Sequence, residues 1–270
     1  MADAGLQRRL DTTWKKISGC RRCLDDRTPL EGPLGCGRTR SVGQILRGEP
    51  VFVPLPSFDV QPVGSRRAWL IVGQEPSTRA RSQREAERAI KEGKRNFGGG
   101  DKRWMAALRF ALDEWLCEDQ EGFVMTDVAK CAMVARTSVV EQTRAERFSN
   151  CAPWLEAEMR ILRPRGLIAL GNAAYTALRT VRRTDWPPIF KLMHHASRGA
   201  PRLSTGETPP RLPRSVRRKF ERFQSRRLAA LREREVSYKA TENQCRWLAV
   251  FRAEFKSIKK AAAKLRVRTA

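Results

Sequence analysis

The sequence predicts an α/β fold: three layers around a central, mostly parallel four-stranded sheet, followed by a basic helical extension. Three observations carry this expectation. Short apolar runs of strand length alternate with stretches of helical periodicity over residues 68–195, the pattern of consecutive βα units. Chemistry-bearing residues fall just past those runs, in GQEPS, at Asp127 and at His194 and His195, where α/β sheets place their ligands. From about Pro201 the composition changes, with twenty Lys and Arg against six acidic residues in the last 70.

Taken in order, Leu6, Leu10, Trp14 and Ile17 recur at helical spacing and predict an amphipathic helix that delivers the C-x-x-C of Cys20 and Cys23. A loop rich in Gly and Pro follows. The apolar block AWLIV at 68–72 predicts a buried strand ending in the turn GQEPS. Beyond NFGGGDK, the residues Trp104, Leu108, Ala111 and Trp115 mark one face of a helix. FVMTD at 123–127 reads as a second strand, and Leu155, Met159 and Leu162 mark another helix. GLIALG is a third strand opening into the helix NAAYTAL, and IFKLMHH is a fourth strand. If the two histidines extend that strand they point to opposite sides, so only one can face a site, and His195 is the choice. In the extension, Val216, Phe220 and Phe223 predict one helix. Trp247, Phe251, Phe255 and Ile258 predict a second, with Thr241 and Gln244 as a capping box at its start. Both helices have apolar faces to bury, which calls for docking on the main domain.

Fifty-four Lys and Arg against 29 Asp and Glu give a formal net charge of +25. Such a balance asks for a polyanionic partner, with nucleic acid the leading candidate and a membrane surface the weaker one. No apolar run reaches spanning length, and MADAGLQRRL lacks the apolar core of a signal peptide, so a cytoplasmic protein without a membrane partner is expected. Seven cysteines, odd in number and unevenly spaced, argue against a disulfide framework. Cys20, Cys23, Cys131 and Cys151 form a candidate ligand set for zinc or a 4Fe-4S cluster, and spacing alone does not choose between the two. Cys36, Cys117 and Cys245 read as small core residues.

The order of C-x-x-C, GQEPS, Phe97 before glycines, TDVAKC, CAPWLEAEM, RGLIALGNAA and HHAS resembles the uracil-DNA glycosylase superfamily, most closely its iron-sulfur family 4, over about residues 20–198. The resemblance implies that Cys20, Cys23, Cys131 and Cys151 hold a structural 4Fe-4S cluster that pins loops around the DNA-binding face, with Cys151 opening the helix before the third strand. It implies a base site at Gly73 and Gln74, with Glu75 steering the attacking water. The motif here is nearer the Gly-Gln-Asp-Pro-Tyr of the family 1 enzymes than the Gly-Glu-Ala-Pro-Gly of family 4. Phe97 is implied to stack on the extruded base. His195, with Ala196 where the family has Pro, is implied to donate to O2 of the departing pyrimidine. Ser197 and Arg198 are implied DNA contacts, Arg198 as wedge or phosphate clamp. On this reading residues 1–200 are the catalytic domain and 201–270 the extension, in a monomer acting on phage or damaged DNA.

Asp127 departs from the family 4 pattern, which has Asn there to pair with uracil. Cytosine offers an amine donor at N4 and an acceptor at N3, and a neutral carboxyl group complements both. Burial favours the neutral form of a carboxyl group, and a proton shared with N3 makes cytosine a better leaving group. Because excising ordinary cytosine would destroy the host genome, the expected target is a modified cytosine. The resemblance extends to antiphage glycosylases that remove glucosylated hydroxymethylcytosine from viral DNA. Two rival readings are a uracil repair enzyme and a non-catalytic nucleic-acid-binding protein with an iron-sulfur or zinc centre, which would have no need of Glu75 and His195.

Overall fold

The computed structural model of the protein describes residues 4–18, 20, 52–54, 59–60, 69–74, 102–117, 123–133, 144–193, 202–203, 205–232 and 237–269. The chain divides into two compact units. One comprises residues 1–100 and 121–189, and the other residues 101–120 and 190–270.

The first unit is built on strands β3 (Trp69–Gly73), β4 (Phe123–Asp127) and β6 (Gly166–Leu170). β3 is central and pairs in parallel with both neighbours, Ile71 lying opposite Met125 on one side and Ile168 on the other. Each of these strands is buried along its whole length, as expected of continuous apolar runs in a parallel sheet covered on both faces. β7 (Ile189–Leu192) follows β6 in the sheet order, so all four expected strands form, and the boundary between the compact units falls within β7.

Three short strands were not foreseen. β2 (Asp59–Val60) pairs antiparallel with β4 and makes the sheet five-stranded, while β1 (Phe52–Pro54) and β5 (Cys131–Met133) form a separate antiparallel pair. Segments of two or three residues are too short to show any alternation, which is why the sequence reads there as loop.

Alternation along the strands sends Leu70, Val72, Val124, Leu167 and Ala169 to one face. They form a core with Leu6, Leu10 and Ile17 of α1 (Ala4–Ser18), Leu155, Met159 and Leu162 of α3 (Arg144–Leu162), and Ala174, Ala177 and Leu178 of α4 (Gly171–Val181). Gly171 turns β6 into α4 at φ +87°, a conformation that favours a residue without Cβ. α3 runs unbroken through Pro153, whose ring removes one backbone donor. Cys151 therefore lies inside the helix, seven residues after its start, rather than opening it.

In the second unit α2 (Lys102–Ala111) passes into a π-helical turn over Leu112–Leu116, closed by the Cys117 N–H on the Leu112 carbonyl at 2.8 Å. The extension supplies α5 (Arg214–Arg232) and α6 (Glu242–Thr269), both packed on α2. Phe110 of α2 meets Phe220 and Phe223 edge-on, with ring centroids 5.4 Å apart in each case. Trp247, Phe251, Phe255 and Ile258 are all buried, as the periodicity requires. The capping box forms reciprocally: Thr241 N–H donates to Gln244 Oε1 at 2.9 Å, and Gln244 N–H to Thr241 Oγ1 at 3.3 Å.

Candidate active site

The strand ends of the first unit carry the site. Gly73 and Asp127 close β3 and β4 opposite each other in register. Asp127 is only 6% exposed. A Cβ added to Gly73 would fall on Asp127 Oδ1 and lie 3.3 Å from its Cγ, so the carboxyl group lies across the Gly73 Cα. Glycine is needed here for close approach. Gln74 is one residue further on, and its Nε2 is buried with no hydrogen-bond partner among the described residues. A buried donor without a partner costs about 1–3 kcal/mol, so a donor left in this position points to a ligand or water that accepts from it.

The chain leaving β4 is fixed by three successive amides. Val128 N–H donates to the Gly73 carbonyl at 2.9 Å, Ala129 N–H to the Gln74 carbonyl at 3.0 Å, and Lys130 N–H to Cys151 Sγ at 3.3 Å. Buried amides must pair, and these pair outside any regular ladder, tying the segment after Asp127 to β3 and α3.

Behind the strand end, on the opposite face from Asp127, lies a closed polar knot. Lys130 and Glu158 are 2% and 0% exposed and meet at 2.6 Å from Nζ to Oε2. The Thr126 hydroxyl donates to the same Oε2 at 2.9 Å and accepts from Lys130 Nζ. Sequence reasoning missed this group. The signal available was a Lys ending an apolar run, four residues after a strand Thr, with Glu158 on the inward face of α3.

The cysteines converge from separate elements. Cys20 sits just past α1, where its N–H closes a turn on the Ile17 carbonyl at 2.9 Å. Its Sγ accepts the Trp154 indole N–H at 3.3 Å, and Trp154 is three residues after Cys151 on α3. α3 thus gathers Cys20, its own Cys151 and the backbone leading into Cys131. Cys20 and Cys151 are free thiols. Each accepts an N–H hydrogen bond, the kind of contact made to metal-bound sulfur, so these residues fit a thiolate centre. Among the described residues no group of three or more His, Cys, Asp or Glu is arranged to hold a metal; Cys23 and the Cys131 side chain lie outside them. Cys117 and Cys245 belong to the second unit, where burial pushes the Cys245 thiol up from its ordinary value.

Of the residues expected at the site, Gly73, Gln74 and Asp127 are brought together at one strand end, and Cys20 and Cys151 at one helix. Glu75, Phe97, His194, His195, Ser197 and Arg198 lie outside the described residues.

An α/β protein with its polar groups collected at the carboxyl ends of central parallel strands is the class that this architecture defines. The family model described as Uracil DNA glycosylase superfamily matches residues 62–211, more than half of the chain, and the chain belongs to that superfamily. By membership it is a DNA glycosylase, a hydrolase that separates a base from its sugar and takes DNA as substrate. The match spans every expected base-site residue and includes Cys131 and Cys151, while Cys20 and Cys23 precede it and α5 and α6 follow it. No curated protein matches the chain. No helix among the described residues is long and apolar enough to cross a membrane.

Proposed function

We propose that this glycosylase excises a modified cytosine, of the glucosylated hydroxymethylcytosine kind found in phage DNA, and so serves antiphage defence. The observation that carries the reading is the buried carboxyl group of Asp127, held across Gly73 at the end of the parallel sheet. In its neutral form this group accepts from cytosine N4-H and donates to N3, whereas uracil presents a donor at N3 and a carbonyl at position 4. The Gln74 amide, a buried donor, is suited to a carbonyl on the same base.

In the mechanism that follows, basic surfaces hold the phosphates and the target nucleotide leaves the stack to lie on Phe97. Asp127 reads its pairing edge and shares a proton with N3. Glu75 steers water toward the sugar and offsets the positive charge that develops there. His195 donates to O2 of the departing base, and Ser197 and Arg198 hold the flanking strand. The C1′–N1 bond breaks with its electron pair going to the base, and water's hydroxyl bonds to C1′. Water's proton passes by way of Glu75 to restore the proton lent by Asp127, so neutral free base and abasic DNA are the products. Cys20, Cys23, Cys131 and Cys151 would hold a 4Fe-4S cluster, or zinc in the same thiolates. Such a centre would supply cross-links between the ends of α1 and α3 and the segment after β4, with bond cleavage left to the residues at the strand ends.

Base release from oligonucleotides carrying uracil, hypoxanthine, cytosine or glucosylated hydroxymethylcytosine tests the reading. Release of the modified cytosine is expected, with Asp127→Asn moving preference toward uracil. Release of uracil alone, or a preference unchanged in Asp127→Asn, overturns it.

A further inference from the structure

The helices α5 and α6 lie wholly beyond the region shared with the superfamily, and each carries the same surface pattern. On α5 the exposed residues Arg214, Arg218, Arg222 and Arg226 follow one another at every fourth position. On α6 the exposed residues Arg252, Lys256, Lys260 and Lys264 do so as well. With about 100° and 1.5 Å per residue, such a series forms an oblique ridge roughly 18 Å long, with cations about 6 Å apart. The ridge on α5 crosses the side opposite buried Phe220 and Gln224, and that on α6 the side opposite buried Phe251, Phe255 and Ala262.

What distinguishes these eight cations is that, among the described residues, no carboxylate pairs with any of them. The carboxylates nearby are committed elsewhere: Glu221 to Arg217 at 3.1 Å, Glu114 to Lys219 at 2.6 Å and Glu242 to Arg246. Among the described residues no ridge cation has an ion pair or a side-chain hydrogen bond. A solvated face of ordinary kind mixes both signs and pairs them at i,i+4, as Arg217 and Glu221 do.

We infer that the two ridges are a DNA-backbone grip, separate from the base site, that tracks phosphates without reading sequence. The inference rests on the glycosylase reading for its choice of polyanion. A row of cations with fixed spacing matches a regular row of phosphates, and arginine pairs with phosphate in bidentate geometry. An anionic lipid surface fits less well, because an interfacial helix presents an apolar face to the bilayer, and here those faces are buried within the protein.

The test uses the full chain and an undamaged duplex, so it does not depend on which base is excised. Affinity is measured against salt for the parent, for a variant with all four α5 ridge arginines changed to Gln, and for one with the α6 ridge changed likewise. Each phosphate contact contributes about 0.9 to the slope of log affinity against log salt, so a variant that loses four contacts should lose about 3.6 units of slope, with at least roughly tenfold weaker binding at low salt. Melting midpoint and helix content should change little, since the eight side chains are exposed and form no ion pair or side-chain hydrogen bond among the described residues. A matched loss of Arg9, Lys15, Lys16 and Arg182 should lower the slope by less. The inference is overturned if the ridge variants keep the parent slope, if the matched control loses as much, or if the ridges prove necessary only for binding phosphatidylserine vesicles. Failure of base release with the ridge result intact would instead count against the glycosylase reading.

Discussion

At the end of β4 a lysine and a glutamate are withdrawn from water and closed on each other at 2.6 Å with a threonine hydroxyl between them, whereas α5 and α6 hold eight cations open to solvent. The two regions use charge for different ends. A buried pair gains little net stability over apolar residues of the same shape, because desolvation consumes most of the attraction, but it tolerates only one geometry. On the proposed function one geometry is what this place needs, since the adjoining residues are Asp127 and Cys131. Open cations specify no geometry and lose little on solvation, which suits a surface that must grip any sequence of phosphates.

The largest expected effect tests the buried side. Lys130→Met or Glu158→Met alone leaves an uncompensated buried group and should cost about 3–5 kcal/mol in urea unfolding. The double change Lys130→Met with Glu158→Met should cost clearly less than the two singles together, yet base release should stay depressed because the segment after Asp127 has lost its anchor. Single costs near those of a surface pair, below about 1 kcal/mol, would erase the contrast.

Gly73→Ala comes next. Its methyl group would occupy the place of Asp127 Oδ1, so the carboxyl group must shift or the strands must part. A loss of about 1–3 kcal/mol is expected from overpacking, together with loss of base release larger than the stability change explains. The readouts are a thermal melt and single-turnover release. Full activity in a folded Gly73→Ala protein would show that the carboxyl group need not lie against β3, and the base-reading role would fall with it.

These two tests fall on residues that were unequally legible in the sequence. The parallel strands were visible because each is a run of five apolar or nearly apolar residues, and α6 because Trp247, Phe251, Phe255 and Ile258 keep strict period. Asp127 and Gly73 stood out as polar or small residues at the ends of such runs. Their contact did not, because register between strands more than fifty residues apart is a property of the sheet, not of either segment. Lys130 was passed over for a related reason. Lysine is almost never fully buried unless paired, and its partner, Glu158, lies 28 residues away on another element. The expectation that Cys20 and Cys151 act together came from family resemblance alone, and the indole of Trp154 that holds Cys20 to the helix carrying Cys151 had no signal of its own.

The smallest expected effect lies in the C-terminal helices, where one carboxylate does have a structural task. Glu221 of α5 accepts from Arg217 Nε at 3.1 Å and from Ala240 N–H at 2.9 Å, while Arg217 also donates to the Ala240 carbonyl at 3.2 Å. This clamp fixes the chain just before the capping box of α6. Burial alone would raise the Glu221 pKa, but the Ala240 N–H, Arg217 and Lys239 outweigh it and hold the group below its ordinary value of 4.5. A carboxylate with a depressed folded pKa contributes stability that is present above its unfolded pKa and disappears as pH falls through the folded one. Glu221→Gln should therefore cost about 1 kcal/mol at neutral pH, a few degrees in melting midpoint. The gap between parent and variant should close as pH is lowered from about 5 toward 3, through the unfolded carboxylate value and down past the depressed folded one. Melting curves of both proteins across that range provide the measurement. A gap that stays constant with pH would mean that the clamp acts through shape and hydrogen bonding rather than charge. The charge of this clamp would then have no part in holding the fold, the sharpest form of the contrast with Lys130 and Glu158.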